Sequence, residues 1–328
     1  MLGTLVVGLG RAGTELHLPV LRLLRPDAPV VVFDPYRTAR TDGVTVADSL
    51  PHAARLIDPA NTVVHLCTPP SARVAPLTAL AELGFRRVLV EKPLAADDRD
   101  LREVLALRDA AGLDLLPVGQ WRASELTKRL AAILRERGLG RPRSITIVQS
   151  KPRFTRTALG DDHPSAFDVE VPHSVLLALL LAGPAEVLGA QCSDMLLGEN
   201  VYPSLGGAVL RLRHHSGVRT EIRTDLTSPV RERKVTIDLD GGTVVGHFAV
   251  SAADDHAQLR VSTQGQQLRS VFRDDSLGAF LAHAYRHFAG EDRIADEPDT
   301  GAAVVELISA AKRLSGISPA AVPEGASR

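Results

Sequence analysis

Four apolar runs without polar alternation, LVVG, VVVFD, TVVHLCTPP and VLVEKP, mark the first hundred residues, and a fifth, DLLPV, follows. Strands buried on both faces have this pattern. Between them AGTELHLPVLRLL, DSLPHAARLI, VAPLTALAELG and DDRDLREVLALRDAAG place apolar residues at helical spacing. Strand alternating with helix predicts a parallel, doubly wound sheet with right-handed crossovers. After Gly119 the pattern changes. A helix is predicted from Ala123 to Arg137, then a strand, RSITIVQS, and a helix from Val175 to Leu181. Hairpins follow, with turns at Ser216-Gly217, Gly241-Gly242 and Gln264-Gly265. SLGAFLAHAYRHFAG and TGAAVVELISAAKRLSG read as closing helices, and the residues after Ser318 as a frayed end. The expected architecture is α/β: a Rossmann domain over residues 1–119, and an α+β domain over 120–328 with an open, mainly antiparallel sheet and helices on one face.

Composition narrows the partners. At 328 residues the chain can bury two cores, and 45% hydrophobic with 23% charged residues is ordinary for a globular protein. A formal charge of -1 with dispersed basic residues argues against nucleic acid or an anionic membrane as partner. Cys67 and Cys192 form neither a disulfide framework nor a metal-type spacing, and no run is long enough to span a bilayer. A cytoplasmic location is the expectation. Only five lysines occur, at positions 92, 128, 151, 234 and 312, so one in a telling place stands out.

The first such place is set by Gly8-Leu9-Gly10-Arg11-Ala12-Gly13, which follows a strand and opens a helix. Gly8 permits the tight turn, Gly10 lets a pyrophosphate approach the backbone near a helix start, and Gly13 allows close helix–strand packing. Asp34 ends the second strand, where a carboxylate accepts hydrogen bonds from an adenine ribose and repels a 2′-phosphate. NAD is therefore favoured over NADP, with Arg37 and Arg40 as the residues that would favour the phosphate. Thr68-Pro69 follows the third long strand at the same edge, although a strand-ending proline turn explains it locally as well. Glu91 and Lys92 end the fourth. A desolvated lysine beside a nicotinamide can exchange a proton with a substrate hydroxyl or carbonyl, whereas a lysine at a strand end, taken alone, is a solvated charge.

GLGRAG with His17 after it, CTPPS, VLVEKPLA, GQWRASELTKRLAAILRERGLGRPRSI, GAVLRLRHHSGVRTEI and PDTGAAVVELISAAKRLSG stand in the order seen in the glucose-fructose oxidoreductase, inositol dehydrogenase and MocA family, which the chain resembles over nearly its whole length. The resemblance implies NAD(P)-dependent oxidation or reduction of a sugar, sugar nucleotide or cyclitol, with Lys92 as a catalytic proton relay, Arg122 at a usual arginine position, and a homodimer or homotetramer formed through the exposed sheet. Where that family carries a glycine-rich turn, an aspartate and a histidine four residues on, this chain reads SAFDVEVPHSVLLALLLAG. Counting back from Gly183 puts His173 at the histidine and Val169 at the aspartate, flanked by Asp168 and Glu170 as candidate supports. His173 near a helix start is a candidate acid-base residue, with a core or capping histidine as the rival reading. Trp121 is a candidate for a sugar-stacking face or for core packing. No metal is expected from the spacing of Asp161, Asp162, His163, Asp168 and His173. The altered motif suggests an amino sugar or aminocyclitol. An NAD-dependent glycosidase of the same fold and a non-catalytic cofactor sensor are the rival readings.

Overall fold

The structure is a computed structural model that describes residues 2–37, 43–160, 163–251, 253–294 and 297–317. Arg40, Asp161, Asp162 and the segment after Ser318 lie outside the described residues. The chain forms two compact units, Met1–Thr127 with Asp275–Val305, and Lys128–Asp274 with Glu306–Arg328.

The first unit is built on β1 (Gly3–Val7), β2 (Val30–Phe33), β3 (Thr45–Val46), β4 (Thr62–Leu66), β5 (Arg87–Val90) and β6 (Asp114–Pro117). All neighbours pair parallel, in the order β3-β2-β1-β4-β5-β6. Every residue of β1 and β4 is buried, because apolar layers cover both faces. Along β1 the pleat sends Leu5 and Val7 to one layer, with Val64, Leu77, Leu80 and Phe85, and Val6 to the other, with Leu21, Val63, Leu89 and Phe280. Strand order reverses between β1 and β4, so a crevice opens at the carboxyl edge there, where open α/β sheets take ligands.

The helix Ser276–Phe288 completes the second layer through Phe280, Leu281, Ala284 and Phe288. It was expected in the second domain; its buried stripe instead fills a face of the parallel sheet, and residues 275–305 return to the first unit. The helix expected over Ala123–Arg137 is two, Gln120–Ala123 and Glu125–Glu136, separated by Ser124 in an extended conformation.

The second unit carries β7 (Pro142–Ser150), β8 (Ala185–Leu197), β9 (Asn200–His214), β10 (Arg219–Asp225), β11 (Glu232–Leu239), β12 (Gly242–His247), β13 (His256–Thr263) and β14 (Gln266–Arg273). Their order is β14-β13-β12-β11-β7-β10-β9-β8, antiparallel except for the parallel pair β7–β10. Ile145 and Ile147 point to the buried face, in register with Ile237 and Val235 of β11 and with Thr220 and Ile222 of β10. The apolar helix Val171–Ala182 packs on β7 and β10. It begins four residues earlier than the apolar run Val175–Leu181 indicated, because Pro172 sits in its first turn, where a missing N–H costs nothing. Gly242 belongs to β12 rather than to the preceding turn, and β8 was not anticipated at all.

Candidate active site

The turn after β1 is shaped by contact. Gly8 has φ +98°, and a Cβ on it would lie 2.9 Å from the Cys67 carbonyl carbon and oxygen. A Cβ on Gly13 would lie 2.2 Å from Gly8 O, so helix and strand meet too closely for any side chain. Gly10 differs: a Cβ there would meet nothing nearer than Arg37 Nη1 at 3.9 Å. The open space is on the ligand side of the turn, where a phosphate would need it. Arg11 is exposed and pairs with Glu15, while Ala12 opens the helix. The first turns, Ala12–His17, are wide π turns before the α-helix Leu18–Leu24, whose Pro19 has no N–H to return.

Asp34 lies against the same turn. Its Oδ2 accepts the Leu9 N–H at 2.6 Å, and its Oδ1 accepts those of Tyr36 and Arg37 at 2.8 and 3.1 Å. Arg37 Nη1 reaches back to Leu9 O at 3.4 Å. The carboxylate that would read a ribose and the arginine that would read a phosphate therefore stand side by side. Thr68-Pro69 lies after β4 at the carboxyl edge, and Thr68 Oγ1, shielded from solvent, finds no protein partner among the described residues. Space at Gly10, a carboxylate at Asp34 and an orphaned hydroxyl at Thr68 fit a dinucleotide.

Glu91 and Lys92 follow β5 on that same edge. Glu91 turns inward. Its Oε1 lies 2.8 Å from His17 Nε2, and its Oε2 accepts the Lys92 main-chain N–H at 3.2 Å. His17 Nδ1 is 2.7 Å from His65 Nδ1; His65 Nε2 is 2.9 Å from Tyr285 Oη, which lies 2.6 Å from Thr4 Oγ1. Arg25 stacks over the Tyr285 ring at 4.0 Å. Arg73, fully buried, donates to Pro93 O and to Thr68 O, tying the turn after β5 to the turn after β4.

Burial works against a charge on His17, but the Cys67 sulfur and the Glu91 carboxylate beside it outweigh that and raise its pKa to about 10. Burial, with the charges of His17 and Arg25, drives His65 well below its ordinary value. Burial alone would raise Glu91, yet the hydrogen bond and charge of His17, with Lys92 and Arg73, hold it below the usual carboxylate value. Burial lowers Arg73 to about 10 and raises Tyr285 to about 12.

In the second unit His173 sits in the first turn of the helix Val171–Ala182, buried, its N–H donating to Glu170 O at 3.2 Å. The flanking carboxylates each meet a lysine. Asp168 accepts from Ser165 Oγ at 2.7 Å and pairs with Lys312; Glu170 pairs with Lys151. Next to this turn Gln149 Nε2 donates to Ser174 Oγ at 3.0 Å, while its buried Oε1 has no partner among the described residues. A shallow surface recess is lined by Gln149, Lys151, Glu170, Arg231 and Arg233.

Lys92 and the glycine turn thus share one edge of one sheet, and His173, Asp168 and Glu170 share one helix start. Trp121, 3% exposed, is in the interior, and Arg122 Nη2 lies 3.4 Å from Thr300 Oγ1. Sequence reasoning missed His65, Arg73 and Tyr285, which no local pattern marks. Lys151 and Lys312 carried a faint signal, since lysine is so scarce here.

Residues 2–118 match the family model GFO_IDH_MocA, described as an oxidoreductase family with an NAD-binding Rossmann fold. Over those residues the chain is similar to the GFO/IDH/MocA oxidoreductases. Residues 2–118 have the NAD-binding Rossmann fold of that oxidoreductase family, and the two sheets have the fold of solved oxidoreductase structures. The 3-ketoreductase KijD10 from Actinomadura kijaniata, in complex with TDP-benzene and NADP, superposes with a TM-score of 0.79 at 16% identity, covering 96% of this chain and 98% of its own. An oxidoreductase from Agrobacterium radiobacter, in complex with NAD+, L-tartaric acid and magnesium, gives a TM-score of 0.78 at 14% identity, with 96% of each chain covered. No curated protein matches by sequence. Among the described residues no helix is long and apolar enough to cross a membrane.

Proposed function

We propose that this chain oxidises or reduces a ring carbon of a sugar, amino sugar, sugar nucleotide, cyclitol or aminocyclitol, with Lys92 and His173 handling the proton on the oxygen of that carbon. The observation that carries the reading is the position of Lys92, which follows β5 on the sheet edge that also bears the open Gly10 turn, Asp34 and Thr68. Gly8 to Gly13, Asp34, Thr68 and Pro69 would hold a nicotinamide dinucleotide, with Glu91 and Lys92 at its reactive end. Such a cofactor, when bound, supplies or takes up a hydride.

The chain's own residues do the rest. Lys92 Nζ gives a proton to a carbonyl oxygen during reduction, or takes one from a hydroxyl during oxidation. His173 is a second group that can hold that proton near neutral pH. The Lys151–Glu170 and Lys312–Asp168 pairs fix the backbone on which His173 rides. The Asp34 carboxylate supports NAD as the preferred cofactor. A sugar-nucleotide substrate is supported by the TDP ligand of KijD10. Pairing of copies through the exposed sheet face belongs to the same reading, with sedimentation at micromolar concentration as its check.

The test is nicotinamide absorbance with NAD(H) and NADP(H) against keto and hydroxy forms of these ring classes, alongside Lys92→Met. Turnover of one class that the variant loses is the expected result; tight cofactor binding with no turnover across the panel would overturn it.

A further inference from the structure

The interior behind Glu91-Lys92-Pro93 holds a line of side chains that a dinucleotide fingerprint does not require: Glu91, His17, His65, Tyr285 and Thr4, each within 2.9 Å of the next. Two imidazoles facing each other Nδ1 to Nδ1 share one proton. Two proton patterns satisfy the line. In one, His17 carries both ring protons, giving one to Glu91 and one to His65. His65, neutral, then donates its Nε2–H to Tyr285, and Tyr285 donates to Thr4. In the other, His17 keeps only its Nε2–H, and the bonds run back toward it from Thr4.

The surrounding charges choose between them. Around His17 stand Glu91 just after β5, His65 from β4 and Cys67 just after it; Lys92 and Arg73 act on Glu91, and Arg25 and Tyr285 stand beside His65. A half-buried carboxylate at 2.8 Å favours a cation on the fully buried His17, and the guanidinium of Arg25 disfavours one on His65. The first pattern is the one these charges select.

We infer that His17 is a standing imidazolium that positions Lys92 through Glu91. It holds the carboxylate inward, and the other carboxylate oxygen takes the main-chain N–H of Lys92, so the direction in which the lysine leaves β5 is set from inside the sheet. His65, Tyr285 and Thr4 supply the acceptor for His17's second proton. Positioning of Lys92 for catalysis rests on the function proposed above; the proton pattern does not.

The experiment is spectroscopic and uses the full chain. Long-range 1H–15N spectra of histidine-labelled wild type are expected to show His17 with both ring nitrogens protonated up to about pH 8.5, and His65 neutral with its proton on Nε2. A neutral His17 at about pH 7.5 would overturn the inference without any variant. The positioning half is read from the 13C-methylated Lys92 amine, resolvable among five lysines. In His17→Gln the released carboxylate is expected to raise the Lys92 titration midpoint by about one pH unit, and an unmoved midpoint refutes positioning. Tyr285→Phe, the milder change, is expected to move it the same way by less. A wild type that turns over no substrate would sink the proposed function, while both spectra still decide this inference.

Discussion

Each unit buries carboxylates at its candidate site, and the two neutralise them differently. Asp168 and Glu170 each meet the ammonium of one lysine, a compact charge whose donors turn freely about the stem. Glu91 meets an imidazole, which has two nitrogens in a plane and so must place its second bond in a fixed direction. A line of planar and hydroxyl groups hands orientation from one side chain to the next. The pairs therefore anchor backbone at the start of the helix that bears His173, and the line transmits position to Lys92.

The strongest way to break this comparison is at its functional end. Lys92→Met is expected to lower kcat by roughly 10²–10⁴-fold with cofactor affinity unchanged in a fluorescence titration; a loss under about tenfold would place the proton chemistry elsewhere. On the other side, Lys312→Met leaves the Asp168 charge buried with Ser165 as its remaining hydrogen-bond partner in the pair's place. Urea unfolding should record a loss of about 3–5 kcal/mol, much of it recovered in the Lys312→Met, Asp168→Leu double variant. If the single variant is as stable as wild type, the pair anchors nothing.

A third contrast lies within the glycine turn. Gly13→Ala puts a Cβ 2.2 Å from Gly8 O and should lower Tm, while Gly10→Val fills open space and should weaken NAD(P)H binding about tenfold at unchanged Tm. Equal effects on Tm would deny Gly10 its separate role.

The line also predicts a pH trend. His17 holds its proton more tightly in the folded chain, at a pKa of about 10, than its ordinary 6.5. Its contribution to stability is complete below about pH 6.5 and is lost as pH rises toward 10. The urea-midpoint lead of wild type over His17→Gln should be largest near pH 6 and shrink toward pH 10; a lead that widens with pH contradicts a charged His17. The smallest effect is expected at Asp34→Ala, a several-fold shift of the KM ratio toward NADP, with Arg37 beside the turn to receive the extra phosphate.

How far this was legible follows from where each signal lies in the chain. GLGRAG, Asp34 and the apolar runs of β1, β4 and β5 are local patterns, and their consequences for the first sheet are local too. β8 was missed because Ala185–Leu197 buries only Met195 fully and is irregular, with pairing shifts near Gly189 and Asp194, so no apolar alternation marks it. His17, His65 and Tyr285 meet across sequence separations of 48 and 220 residues, and nothing near any of them announces the others. The lysine partners of Asp168 and Glu170 are likewise set by the fold: Lys312 arrives from the last helix. The carboxylates could be named from the sequence, but not what holds them.

The return of the helix Ser276–Phe288 to the first unit has a consequence in time. A ribosome delivers all six strands of the parallel sheet before it has begun residues 128–274, a further 147 by that count. At the ordinary pace of synthesis the wait is on the order of ten seconds. Throughout it, the sheet face built from Val6, Val63 and Leu89 lacks Phe280, Leu281 and Phe288, and His65 lacks the hydroxyl of Tyr285. Chaperones that recognise bare apolar surface have that interval in which to act. The half of the molecule that is begun first stays open until residues 275–305 are made.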